Sequence, residues 1–183
     1  MRSGFRHSER GFSLAEMLTV LAIIGILSLI SVPAFINFRA SSTLRSALGG
    51  FINDVRYARQ YSITHSVYVR VNIAAAGATT NRAYGFQQSP DNGGTWNSLT
   101  VPGSNVNGVK MLPQQIWFVS TTDLPTSGAV TQIEYHPNGA LTLATNATTG
   151  QVVLGSTWSR MAKDRYTIVL SPSGQLTSTG THS

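Results

Sequence analysis

A chain of 183 residues that is 42% hydrophobic and 11% charged is long enough for one folded domain with an extension, and too apolar to be disordered throughout. Its lack of cysteine excludes disulfides and thiolate metal sites. The formal charge of +6 includes Arg2, Arg6, Arg10 and Glu9 near the N-terminus; the remainder keeps ten basic and six acidic groups, a mild excess that suits an acidic partner without demanding one.

Residues 17–38 contain no charged side chain. As a helix they would run about 33 Å, enough to cross the hydrocarbon core of a bilayer. Three arginines precede the run, which places the N-terminus in the cytoplasm by the positive-inside tendency and the remainder beyond the inner membrane. A secretory signal peptide cut after "SVPA", at Ala34, would share the basic start. The apolar run exceeds a typical h-region of about 7 to 15 residues, however. It also continues past Pro33 into "AFINF" and carries Glu16 at its cytoplasmic edge.

The stretch "RGFSLAEMLTVLAIIGILSLISVPAF" closely resembles the N-terminal segment of type IV pilins and type II secretion pseudopilins. Gly11, Phe12 and Glu16 occupy the positions of that motif. The resemblance implies a leader, residues 1–11, removed by a prepilin peptidase between Gly11 and Phe12, with N-methylation of Phe12. It also implies that residues 12–38 form a transmembrane helix that becomes the core of a filament.

Cleavage would create an α-amino group at Phe12, one helical turn from Glu16. An unpaired charge in low dielectric is costly, whereas a paired one is tolerated. Glu16 then acts as a register device, because only a stagger that brings it to a neighbour's amine is acceptable, and ionisable groups within membranes are functional by default. The bland alternative is that its carboxylate reaches to the headgroups. Gly25 and Pro33 weaken the same helix. Resemblance to related filaments implies an extensible stretch between such positions; a simple kink is the competing reading.

Beyond Phe38 the apolar residues Leu44, Leu48, Phe51, Ile52, Val55 and Ala58 recur at helical spacing, giving an amphipathic helix over 39–64 with Thr64 or His65 at its end. Arg45, Arg56 and Arg59 fall on its polar side, either as a solvated face or as a stripe that meets phosphate or an acidic neighbour. From residue 66 onward the pattern is β: "SVYVRVNI", "AYGFQQ" and "TWNSL" around the turn-rich "SPDNGG", then "VKML" and "QQIWFVS". "TQIEYHPNGALTL" reads as a hairpin turning at Asn138-Gly139, and "GQVVLGS" and "RYTIVLSPSGQLTS" supply the last strands. One long helix followed only by strands predicts an α+β head, residues 39–183, with the helix laid on antiparallel sheet.

The run "IEYHPNGAL…VVL…YTIVLSPSGQL" resembles the C-terminal half of the GspH/FimT minor pseudopilins, through Tyr135, Pro137 and Gly139 and then Pro172 and Gly174. The whole chain thus resembles a type IV pilin-like fold. The resemblance implies a minor pseudopilin of the type II secretion pseudopilus, anchored in the inner membrane with its head in the periplasm and partnered by other pilins or pseudopilins. A minor type IV pilin, for pilus assembly or for DNA uptake by binding DNA, is the alternative, with Arg45, Arg56, Arg59, Arg160, Lys163 and Arg165 as the residues that would meet DNA. DNA-binding members carry arginines immediately after the last glycine, whereas "QLTSTGTHS" has no positive side chain.

The sequence offers no catalytic constellation, metal motif or nucleotide loop, and the expectation is a structural subunit without a cofactor. Asp91 and Asn92 in "PDNGG" fall short of the six to eight oxygens that calcium takes and read as a turn. Trp96, Trp117 and Trp158 read as core or hairpin packing.

Overall fold

The computed structural model describes residues 12–74, 81–156 and 165–181. The chain divides into two compact units, Met1–Phe38 and Arg39–Ser183. Among the described residues a single helix, α1 (Leu14–His65), begins in the first and supplies the spine of the second.

Among the described residues, every strand of the second unit pairs antiparallel, and the sheets lie against the later part of α1. Its strands are β1 (Tyr68–Ile73), β2 (Ala83–Ser89), β3 (Asn97–Ser98), β4 (Val109–Met111), β5 (Ile116–Thr122) and β6 (Thr126–Ser127). There follow β7 (Val130–Tyr135), β8 (Leu141–Thr142), β9 (Gly150–Ser156), β10 (Arg165–Leu170) and β11 (Leu176–Thr181). They form two sheets rather than one. The first has the order β3-β2-β1-β7-β6, with β4 on β2 and β8 on β7; the second has the order β11-β10-β9-β5. The hairpins read from the turns are present, with Gln87 opposite Ser98 and Tyr135 opposite Leu141. The pairing of β1 with β7, which brings Val71 opposite Ile133, closes a long sequence interval that no local signal announces.

Leu44, Leu48, Phe51, Val55 and Ala58 are buried on one side of α1, as their spacing requires. Inward residues of alternate strand positions meet them: Val69, Val71 and Ile73, Ile133 and Tyr135, Val152 and Leu154, Ile168 and Leu170. Phe51 packs edge-on to Tyr84 of the first sheet at 5.2 Å and to Phe118 of the second at 5.3 Å, so one helical side chain serves both layers. Close by, Lys110 Nζ contacts Asp54 Oδ1 at 2.7 Å, and the Tyr84 hydroxyl donates to Asp54 Oδ2 at 2.7 Å. This clasp fastens β2 and β4 to the helix. Burial first, and then the Asp54 carboxylate, push the Tyr84 pKa up.

One boundary differs from the sequence reading. The helix ends at His65, one of the two ends expected, but β1 starts at Tyr68, not at 66. The physical reason is a C-cap: Ser66 takes φ 53° and Val67 N donates to Ser62 O at 3.2 Å, the six-to-one bond of a Schellman motif. Serine stands where glycine is usual, which hid the cap.

Candidate functional site

Phe12 and Ser13 precede α1, and Ser13 is its N-cap. The Ser13 Oγ accepts from Glu16 N at 3.2 Å, and Glu16 Oε2 accepts from Ser13 N at 2.9 Å. Met17 N donates to Ser13 O at 3.2 Å, the first helical bond. This is a reciprocal capping box, which satisfies two backbone donors and sets a negative group at the positive end of the helix dipole. The S-x-x-E signature is legible in "SLAE", but the sequence reading treated Glu16 only as a charge in an apolar run. A carboxylate accepts at about four lone-pair sites, so the cap leaves Glu16 able to accept from a further donor. Gly11 lies outside the described residues.

Every residue in 12–32 is exposed, Phe12 at 85%. Leu14–Val32 has a mean hydropathy of 2.3 and none of it is buried within the chain. By length and composition it suffices to cross a membrane. Two of its hydroxyls bond back to the helix: Thr19 Oγ1 donates to Ala15 O and Ser28 Oγ to Ile24 O, both at 2.8 Å, which lowers the cost of hydrocarbon surroundings. The assigned helix passes through both Gly25 and Pro33.

The two Pro-x-Gly turns noted in the sequence meet in space. In each, the fourth residue donates to the first: Gly139 N to His136 O and Gly174 N to Ser171 O, both at 2.8 Å. In each, the first residue also donates to the fifth: His136 N to Ala140 O and Ser171 N to Gln175 O. Proline presets the first bend, and glycine supplies φ +77° at Gly139 and +76° at Gly174. Leu141 N donates to Pro172 O at 2.9 Å, which joins the turns directly. A methyl group on Gly174 would collide with Gly139 O. Arg59 spans both turns, with Nε donating to Gly139 O at 3.1 Å and Nη2 to Ser173 O at 2.9 Å.

The basic residues singled out in the sequence therefore have different surroundings. Arg59 is engaged by carbonyls, and Arg45 Nε donates to the Tyr166 hydroxyl at 2.9 Å. Arg56 is exposed and makes no hydrogen bond or ion pair with a described residue. Arg165 opens β10 and is exposed, while Arg160 and Lys163 lie outside the described residues, as does Trp158. The Asp91 carboxylate accepts from Ser89 Oγ at 2.6 Å, from Thr95 N at 2.7 Å and from Thr95 Oγ1. These bonds, Ser89 foremost, hold its pKa well below the usual carboxylate range. Among the described residues no group of three or more His, Asp or Glu side chains is placed to hold a metal. Trp96 carries the Arg70 guanidinium of β1 4.0 Å over its ring, which packs the β2–β3 hairpin against β1.

An exposed, capped apolar helix joined to a helix-backed antiparallel head defines a pilin-like subunit. Residues 6–32 match the prokaryotic N-terminal methylation motif, and residues 47–174 match the family described as type II transport protein GspH. The chain belongs to the GspH family. It is 32% identical over 101 residues to the fimbrial protein EcpC of Eikenella corrodens and 26% identical over 102 residues to the type IV major pilin protein PilE of Neisseria gonorrhoeae. Those matches cover 55% and 54% of this chain and 60% of each relative's length. The crystal structure of the minor pseudopilin EpsH from the type II secretion system of Vibrio cholerae shares the fold, with a TM-score of 0.51 at 10% identity, over 76% of this chain and 97% of that one. Membership makes this a structural pilin or pseudopilin, a class whose members assemble with other pilins, and the methylation motif implies processing by a peptidase.

Proposed function

We propose that the chain is a minor pseudopilin of a type II secretion pseudopilus, held in the inner membrane by residues 12–38 with its N-terminus cytoplasmic and its head periplasmic. It is cleaved between Gly11 and Phe12 and methylated at Phe12. It joins the filament through Glu16 and has no catalytic activity or cofactor of its own. The observation that carries this is the capped helix: residues 12–32 are exposed without exception, yet the head buries its own core from Leu44 onward. An apolar surface of that length needs another cover, first lipid and then neighbouring helices. Glu16, poised beside the new N-terminus, supplies the polar contact that fixes their stagger.

The choice of secretion over DNA uptake is supported by charge. The segment from Gln175 onward has no lysine or arginine, and Arg45 and Arg59 are engaged within the head. The DNA-binding minor pilin stays the second reading because Arg56 is exposed and has no partner among the described residues. Deleting the chromosomal copy separates the two. Secretion of exoproteins into the medium should fall while surface pili and DNA uptake persist. Normal secretion with lost uptake would overturn the proposal in favour of the second reading.

A further inference from the structure

The second sheet ends in an open edge. The strand β11 pairs with β10 in unbroken register from Leu170–Leu176 to Arg165–Thr181, and no described residue pairs with its other side. The direction of its backbone groups follows from the turn. Ser171 N donates to Gln175 O at 3.0 Å, so these two residues form a hydrogen-bonded pair. Antiparallel ladders alternate bonded and non-bonded pairs. The N–H and C=O groups of Thr177 and Thr179 therefore face β10, while those of Leu176, Ser178 and Gly180 face outward.

Exposed edges invite pairing with another chain, and proteins commonly block them with charge, proline or a bulge. The sequence of β11, "LTSTGT", contains no charge and no proline, and its register shows no bulge. Thr177, Ser178, Thr179 and Gly180 are all exposed. Beside the start of β11 lies an open groove of about 370 Å³ lined by Arg56, Arg59, Gln60, Gln175, Leu176 and Thr177. It holds two guanidinium groups and no carboxylate. The Arg56 guanidinium is free among the described residues, so its donors are available.

We infer that the outer edge of β11 is a docking site for an extended segment of another polypeptide, which adds a strand there and places a carboxylate side chain in the groove at Arg56. Main-chain bonds to Leu176, Ser178 and Gly180 supply the pairing, and the guanidinium selects an acidic residue at the Gln175–Thr177 end. A second copy of this chain suits the site poorly, because β11 laid on β11 brings only neutral side chains to the arginine. The inference concerns the head alone and is independent of which machine the chain serves.

The test uses the full chain in detergent micelles and two probe peptides, acetyl-Thr-Val-Thr-Val-Asp-Val-amide and its Asn counterpart, followed by backbone amide shifts and hydrogen exchange. The Asp peptide should shift and protect the amides of Leu176, Ser178 and Gly180, and leave those of Thr177 and Thr179 protected as before. The Asn peptide should bind about fivefold more weakly, as befits one partly exposed ion pair. Arg56→Gln should bring the Asp peptide down to the level of the Asn peptide. Ser178→Pro removes one outward N–H and none that serves β10, so it should abolish binding of both peptides with the thermal midpoint nearly unchanged. Equal binding of the two peptides to the native chain overturns the inference, whatever Ser178→Pro does to folding. So does binding that survives in a folded Ser178→Pro chain. Self-association of the native chain that Ser178→Pro abolishes would assign the edge to a second copy instead, and would also overturn it.

Discussion

Glu16 carries two separable jobs, and three substitutions distinguish them. As the third residue of α1 it closes the cap on Ser13 N at 2.9 Å; as a carboxylate it can meet a neighbour's α-amino group. Ser13→Ala deletes the hydroxyl that accepts from Glu16 N but keeps the charge, at a cost of about 1 kcal/mol typical of a lost N-cap. Glu16→Gln keeps a side chain competent in the capping box but removes the charge. Glu16→Ala removes both. A buried ammonium left without its partner costs about 3 to 5 kcal/mol, which is roughly a hundred-fold to several thousand-fold in an assembly equilibrium. The cap alone is worth about fivefold. Membrane insertion should be undiminished in all three, since removing a polar group makes the helix more apolar. The assay is crosslinking of each variant to its filament partners in membranes. Ser13→Ala should crosslink within several-fold of the native chain, Glu16→Gln should fall by a hundred-fold or to background, and Glu16→Ala should fall at least as far. If Glu16→Gln crosslinks as well as the native chain while Ser13→Ala fails, the carboxylate serves the cap and the register argument is wrong.

Other substitutions test the head, whose core lies entirely at or beyond Leu44 among the described residues. Arg59→Ala removes two charge-assisted bonds to the turn carbonyls and should cost about 2 kcal/mol, read as a drop in thermal midpoint of roughly 6 °C; Arg59→Lys, a point donor without the fork, should recover only part of it. The Tyr135 hydroxyl is buried with no partner among the described residues, so Tyr135→Phe should be neutral or slightly stabilising by urea titration, and a loss above about 1 kcal/mol would show that the hydroxyl is satisfied after all. Ser66→Gly relieves a left-handed serine at the end of α1 and should raise stability by about 1 kcal/mol in the same titration.

What the sequence revealed was what is local. Leu44, Leu48, Phe51, Val55 and Ala58 announced their buried face through spacing alone, and "HPNGA" and "SPSGQ" announced their turns through proline and glycine. The capping box was equally local and was passed over because "SLAE" merges into the apolar run that follows. The role of Arg59 was not legible, because the carbonyls it holds lie 80 and 114 residues further along the chain and meet only when the sheets close. The split into two sheets was hidden for the same reason: strand order depends on which edges β1 and β9 find, and β6, only two residues long, has no periodicity to read. Helical spacing placed Arg45, Arg56 and Arg59 on the polar side of the helix but could not tell that two of them are engaged while the third has no partner among the described residues.

The central claim is that the N-terminal helix is a processed filament helix and not a discarded export signal. Intact-mass analysis of the chain recovered from membranes tests it most directly. A processed chain should begin at Phe12 and carry one N-methyl group, and Gly11 substitution should leave the full-length precursor. A chain beginning at Phe35 would have lost Glu16, its cap and the apolar helix together, and would contradict it.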